Sequence, residues 1–314
     1  MMKFVEVFAP ATVANVGCGF DVFGFALDEP GDRVRITLSA DSEVILSRIE
    51  GDDGRLPRTA EANTAGVVVL EYLRKIHSRQ GISIELYKNM PLGSGMGSSA
   101  ASAVAALVAI NRLFDDILTK EELLPIALLA EKSACGTAHA DNVAPALFGG
   151  FTLIRSYDPL DVIQIPVPDG LYCCLLHPDI EIRTEYARKI LPVNVDLKKA
   201  VAQWGNTAGL IAGLFRSDLD LLRRAMEDHI VEPVRAPLIP YFYEVKHTAL
   251  EAGAIGCSIS GSGPTIFALC TNQNDAEIIA DRMKYVYDAH KRNCQIYISR
   301  LNPDGPKILS EDIL

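Results

Sequence analysis

The segment Pro91-Leu92-Gly93-Ser94-Gly95-Met96-Gly97-Ser98-Ser99-Ala100-Ala101 constrains this chain more than any other. Ahead of it, Ile82, Ile84 and Leu86 alternate with polar residues up to Lys88, the period of a strand with one buried face. Behind it, an alanine-rich run through about Leu113 is apolar nearly all round, the pattern of a helix enclosed in a core. A Gly/Ser stretch between exposed elements is a flexible linker. Wedged between two core elements, it is a built turn. Glycines at three alternate positions permit positive φ and let N–H groups turn to one side. The first turn of the helix adds unpaired N–H groups and the positive end of its dipole, with two serines, Ser98 and Ser99, at the helix start placed to cap it. Together these form a seat for phosphate oxygens.

The spacing excludes the commoner phosphate loops. It is not GxxxxGK[ST], because the dipeptide Gly-Lys occurs nowhere, and it is not GxGxxG, because Gly97 is followed by two serines. The HRD and DFG elements of protein kinases are missing as well.

At 314 residues, with 49% hydrophobic and 22% charged, the chain suits two folded domains. Its net charge of −10 argues against general nucleic-acid binding, which needs an excess of Lys and Arg. The opening Met-Met-Lys-Phe-Val-Glu places an acid too early for a signal peptide, and the apolar run Ala100 to Ile110 is too short to span a bilayer. A cytoplasmic location is therefore expected. Seven cysteines without a CxxC pair read as reduced core residues. Strands are expected at Phe4 to Phe8, Arg33 to Leu38, Ile82 to Lys88, 171–176 and 294–300, with a hairpin of 254–260 and 265–270. Helices are expected near 64–76, 120–132, 184–190, 196–215, 218–230 and 275–291, and one ending at Glu251 before Gly253. Pro10 to Gly24 reads as turn-rich, and 233–240 as a proline-bounded loop. Paired strands with helices on one side give an α+β class, with domains 1–160 and 161–314 divided in the proline- and aspartate-rich stretch after Ser156.

Two further segments share the glycine-rich character of the loop: Pro10-Ala11-Thr12-Val13-Ala14-Asn15-Val16-Gly17-Cys18-Gly19-Phe20-Asp21-Val22-Phe23-Gly24 and Gly256-Cys257-Ser258-Ile259-Ser260-Gly261-Ser262-Gly263-Pro264-Thr265. In this order the three resemble the motifs of the GHMP kinase superfamily, over nearly the whole chain. Residues 137–145 and 231–240 resemble signatures of its branch acting on L-homoserine. The resemblance implies a two-domain GHMP kinase fold: an N-terminal ATP-binding domain like domain 2 of ribosomal protein S5, and a ferredoxin-like C-terminal domain. It implies ATP and Mg2+ as cofactors and phosphorylation of the L-homoserine side-chain hydroxyl to O-phospho-L-homoserine, a step toward threonine. It further implies a homodimer with no nucleic-acid or membrane partner.

The same resemblance assigns residues. Pro91, Leu92, Gly93, Ser94, Gly95, Met96, Gly97, Ser98, Ser99, Ala100 and Ala101 wrap the triphosphate, Asn63 and Lys88 lie by the nucleoside, and Ser99 and Glu131 hold Mg2+. Asn15, Asp21, His139, Thr184, Arg188 and Arg235 line the substrate site. Asp21 with Asn15 meets the ammonium, and the two guanidinium forks clamp the carboxylate. Glu131, Asp141 and Asn142 form the catalytic set, with Asn142 touching the reacting hydroxyl and Asp141 the open candidate for a base. Phosphoryl transfer has a loose transition state, so alignment and charge neutralisation are expected to outweigh proton removal. The third glycine motif is expected to support the loop from the second domain. Read by themselves, several residues keep plainer alternatives. Glu131 is then a surface acid beside Lys132, Asn63 a helix cap, Lys88 a strand-edge charge, Arg188 the polar face of a helix, and His139 a structural histidine.

Overall fold

The computed structural model describes residues 3–136 and 138–313, so Thr137 of the fourth motif lies outside the described residues, as does the side chain of Cys135. In chain order the elements are β1 (Phe4–Ala14), β2 (Phe23–Ser39), β3 (Val44–Glu50), α1 (Thr64–Lys75), β4 (Gly81–Tyr87), α2 (Ser98–Leu113), α3 (Lys120–Cys135), α4 (Ala140–Phe148), β5 (Phe151–Tyr157) and β6 (Leu160–Ile165). There follow β7 (Tyr172–Pro178), α5 (Thr184–Lys189), α6 (Leu197–Arg216), α7 (Leu219–Ala225), α8 (Glu232–Arg235), α9 (Phe242–Glu251), β8 (Gly256–Ile259), β9 (Ile266–Cys270), α10 (Gln273–Ala289), β10 (Cys294–Arg300) and β11 (Lys307–Asp312).

The first sheet runs β11-β1-β2-β4-β3, with the β5–β6 hairpin joined to β2. At 17 residues, β2 is long enough to pair β4 through Arg33–Ser39 and β5 through Phe23–Phe25. Among the described residues, only β3 and β4 pair in parallel. The helices α2 and α4 pack on β1 and β2, and α1 and α3 pack behind α2. The second sheet, β10-β7-β9-β8, is antiparallel throughout. Its chain order, strand, helices, two strands, helix, strand, is that of a ferredoxin-like plait.

The run Leu-Tyr-Cys-Cys-Leu-Leu at 171–176 has no polar alternation because both faces of β7 are covered. Cys173 and Leu175 belong to the core shared with the first sheet, whereas Cys174 and Leu176 belong to the core under α9 and α10. Phe267 does the same from β9, meeting Phe25 edge-on at 6.0 Å between ring centres. Cys18, Cys173, Cys174, Cys257 and Cys270 are free and buried, and Cys294 is free and half-buried.

The structure departs from the sequence expectations in several places. Pro10–Ala14 is strand, not turn, because a bulge between Pro10 and Thr12 lets β1 continue its pairing with β2. Residues 233–240 form α8 and a 3-10 turn, Ala236–Leu238, rather than a loop. The Asp228 carboxylate starts this helical turn by accepting from the N–H groups of Ile230, Val231 and Glu232, which also ends the preceding helix at Ala225. β6 (160–165) remains in the first sheet, paired with β5, so the chain reaches the second sheet between Ile165 and Tyr172. It returns at β11, which pairs with β1. Strands β3 and β11 carried little signal. A register shift between Leu46 and Arg48 breaks the alternation of β3, and β11 is an exposed edge.

Phe267 is fully buried where the two sheets meet. Phe267→Ala is expected to lower unfolding free energy by about 3–5 kcal/mol, measured by urea denaturation.

Candidate active site

The glycine-serine loop leaves β4 and enters α2 as a chain of left-handed turns, with φ of 66° at Gly93, 79° at Gly95 and 68° at Gly97. Gly97 is the N-cap of α2, and no side chain caps the helix. The two serines therefore do not cap; they are the first two helical residues, at the end of α2 where the leading N–H groups have no carbonyl within the helix to bond. The Ser98 hydroxyl donates to Asp32 Oδ2 at 3.0 Å, so it braces the floor of the seat. A Cβ at Gly97 would overlap Thr12 Oγ1, and one at Gly95 would come within 2.5 Å of the Ser260 carbonyl oxygen. Both glycines are needed for close approach as well as for positive φ.

All three glycine motifs meet here. The Thr12 N–H donates to the Met96 carbonyl at 3.0 Å. From the second domain, Ser260 Oγ donates to Gly95 O and Thr265 Oγ1 to Ser94 O, each at 2.7 Å. Asn15 Nδ2 and an Arg235 nitrogen both donate to Gly261 O, at 2.7 and 2.9 Å. The turn between β8 and β9 thus supports the loop from below, as the third motif suggested.

A cavity of about 330 Å³ opens over this loop. Leu92, Gly93, Ser94, Gly95, Gly97, Ser98 and Ser99 line it, together with Asn15, Asp21, Asn63, Lys88, Glu131, His139, Asp141, Asn142, Thr184, Arg188 and Arg235. Pro91, Met96, Ala100 and Ala101 do not; Met96, Ala100 and Ala101 are buried beneath it. Asn63 caps α1, its Oδ1 accepting from Ala65 N at 3.0 Å, while it also lines the cavity. Lys88 is no strand-edge charge. It is buried against Asp32 and donates to Ser98 O at 2.8 Å and Ser102 Oγ at 2.7 Å. Glu131 is 5% exposed and faces the cavity, so the surface-acid alternative fails, whereas its neighbour Lys132 is exposed. Ser99 and Glu131 offer a hydroxyl and a carboxylate to the cavity lining. That pair fits a hard cation whose remaining positions go to phosphate and water.

At the other end, the Asp21 carboxylate accepts both terminal nitrogens of Arg188, at 2.7 and 2.9 Å. The backbone at Asp21 is left-handed, and its N–H donates to Asn15 Oδ1 at 3.1 Å. Both ends of the Asn15 amide are thus engaged, bridging this turn to Gly261. Arg188 and Arg235 lie over the Phe20 ring at 5.4 and 5.2 Å. Burial, reinforced by the Arg188 charge, lowers the Arg235 pKa to about 10, which leaves it a cation at neutral pH. His139 is held neutral, its pKa lowered by burial and then by Arg188. Asp141 is raised to about 7, first by burial and then by the Asp21 charge. His139 Nε2, Asp141 Oδ1 and Arg188 Nε are buried without a hydrogen-bond partner. Among the described residues, Asp21, His139 and Asp141 bring one acceptor atom each within 4.8 Å of one another. Asn142 Oδ1 accepts from Thr12 Oγ1 at 2.9 Å, leaving its amide N–H groups to offer. Thr184 Oγ1 lies 3.3 Å from Ser262 Oγ.

Sequence reasoning missed Asp32, Phe20 and Thr12 as parts of the site. Phe20 and Thr12 sat inside a quoted motif, but nothing distinguished them there. Asp32 lies within β2, just ahead of the run Arg33 to Leu38 whose alternation marks the strand, and has no local pattern around it.

The family models for the GHMP kinases match residues 63–150 (N-terminal domain) and 210–289 (C-terminal). The homoserine kinase of Chlorobium phaeobacteroides strain BS1 is 52% identical over 320 residues, covering 98% of this chain and all of that one. That of Chloroherpeton thalassium is 51% identical over 319 residues, with coverage of 98% and 100%. The crystal structure of homoserine kinase from Cytophaga hutchinsonii superposes with a TM-score of 0.96 at 56% identity, covering 98% of this chain and 97% of that one. Family models, full-length relatives and the two-domain α+β architecture agree: the chain belongs to the GHMP kinases, in the homoserine kinase family.

Proposed function

We propose that the protein transfers the γ-phosphoryl group of ATP to the side-chain hydroxyl of L-homoserine, giving O-phospho-L-homoserine and ADP on the way to threonine. The charge arrangement beside the phosphate seat carries this assignment: one half-buried carboxylate pairs with one guanidinium, and a second guanidinium stands by. A free amino acid has a complementary charge for each. Its carboxylate takes Arg188 with Arg235, and its ammonium takes Asp21, with the neutral His139 ring and Asp141 as further acceptors for its three N–H groups. An alcohol carrying only one charge would break the Asp21–Arg188 pair and strand one member, which is costly in a half-buried site.

The loop N–H groups and the dipole of α2 hold the triphosphate, with Asn63 lining the nucleoside side of the cavity. Ser99 and Glu131 hold Mg2+, which when bound neutralises charge on the phosphate oxygens. Asn142 offers its amide N–H to the acceptor hydroxyl and aligns it; an amide accepts no proton, so it does not act as a base. Asp141 supports the substrate amine, and alignment supplies most of the rate. A cytoplasmic homodimer is part of this reading. Among the described residues, no helix is long and apolar enough to cross a membrane.

Assayed for ADP release over a panel of alcohols, L-homoserine is expected to exceed 4-hydroxybutyrate, mevalonate and galactose in kcat/KM by about 100-fold or more, the scale of one unpaired buried charge. A preference for mevalonate or a sugar would overturn the assignment. Asp141→Asn should lower kcat far less than Glu131→Ala; the reverse order would make Asp141 a general base. Asp141→Asn also has a sign in stability. The folded protein keeps a proton on Asp141 up to about pH 7, whereas the unfolded chain releases it near the ordinary 3.8. Stability is therefore lost as pH rises between those values. The neutral amide should remove that loss, raising stability relative to the parent at about pH 8 by up to about 4 kcal/mol and by less at about pH 5, measured by urea denaturation.

A further inference from the structure

Thr12, Ser260 and Thr265 hold the middle of the glycine-serine loop, and a buried acid behind it holds the two ends. Asp32, on β2, is fully buried and collects donors from both ends of the loop. Its Oδ1 accepts from the Asn89 and Met90 N–H groups, at 2.9 and 3.3 Å, where the chain leaves β4. Its Oδ2 accepts from the Ser98 and Ser102 hydroxyls, at 3.0 and 3.2 Å, where α2 begins. The Lys88 ammonium pairs with the same oxygen and donates to the Ser98 carbonyl and the Ser102 hydroxyl. Ser102 has one hydroxyl hydrogen. Its Oγ lies 3.2 Å from Asp32 Oδ2 and 3.1 Å from the Ser98 carbonyl oxygen, so these two acceptors share that hydrogen.

We propose that Asp32 is a positioning residue for nucleotide binding, tying the entrance and exit of the phosphate loop together so that its N–H groups keep the aim a polyphosphate needs. The Asn89 and Met90 N–H groups, the Ser98 hydroxyl and the Lys88 ammonium converge on it, with the Ser102 hydroxyl shared between it and the Ser98 carbonyl, and only a carboxylate, with two acceptor oxygens and no hydrogen, accepts from all of them. The loop cannot do this for itself, because its three glycines supply no side chains. Lys88 completes the device by cancelling the carboxylate's charge, so the seat is not backed by a bare anion that would repel phosphate. This role rests on the reading of the loop as the ATP site, and not on the identity of the acceptor alcohol.

The decisive variant is Asp32→Asn combined with Lys88→Met. Like the native pair, it is neutral at this point, so any change in nucleotide affinity does not come from net charge. Binding of a non-hydrolysable ATP analogue with Mg2+ is measured by isothermal titration, without acceptor. The KM for L-homoserine is measured separately at saturating ATP. The expected result is a dissociation constant for the analogue raised about 10-fold or more, with the homoserine KM within about twofold of the parent. The Asp32→Asn single variant should have a lower Tm than the double variant, because it leaves a buried ammonium unpaired. Equal losses for nucleotide and homoserine, or an unchanged nucleotide affinity, would reduce Asp32 to a structural residue and overturn the proposal. If the double variant does not fold, Ser102→Ala decides. It keeps both charges and should weaken the analogue about threefold or more, the scale of one hydrogen bond, with the homoserine KM unmoved. No weakening there overturns the proposal. Because analogue binding needs no acceptor, a failed homoserine assignment would leave this measurement intact.

Discussion

A loop that binds phosphate through its backbone has to be nearly bare of side chains, and a bare loop cannot fix its own shape. That constraint organises the molecule. Three glycines at positive φ turn the N–H groups of the loop toward one side, and each removes a packing contact that would otherwise hold it. The hold comes from outside. Thr12 binds the middle of the loop from β1, Ser260 and Thr265 bind it from the turn between β8 and β9, and Asp32 binds its two ends from β2. Elements distant in sequence are drawn to one point because the loop needs each of them.

The second domain is therefore part of what shapes the glycine-serine loop and not a separate lobe resting beside it. Its sheet is apolar on both faces: one covers α9 and α10, and the other presses Cys173, Leu175, Phe267 and Leu269 into the core of the first domain. Burying both faces fixes the register of β9, since a slip of one residue would exchange the two sets. Fixing β9 also fixes the turn before it, including the Ser260 and Thr265 hydroxyls that grip the loop. The packing of the core is thus carried to the geometry of the site through a strand only five residues long.

How much of this was legible in the sequence depended on whether a feature is local. The strand of Ile82 to Leu86, the buried helix after Ser98, the hairpin around Gly261 and the strand 294–300 all carry their pattern within a few residues, and each forms. The glycine-serine turn between β4 and α2 was readable for the same reason. Strands β3 and β11 were not, because one is bulged and the other is an exposed edge. Nor did the sequence reveal how charges would pair. Asp21 and Arg188 lie 167 residues apart and satisfy each other in the free protein, although each was assigned to a different end of a ligand. Lys88 was read as a surface or nucleoside-side charge because its partner, Asp32, belongs to another strand. Ser98 and Ser99 were expected to cap α2, but a left-handed Gly97 already occupies that position.

The path of the chain between the two sheets limits how they move against each other. It crosses once between Ile165 and Tyr172 and again, in the opposite direction, between Arg300 and Lys307, and Leu27 bridges to Leu301 beside the second crossing. A single covalent connection would let one lobe swing about a pivot. Two crossings and a strand bridge confine any rotation of one sheet against the other to an axis that runs through both, which is the geometry of a hinge and not of a free swivel.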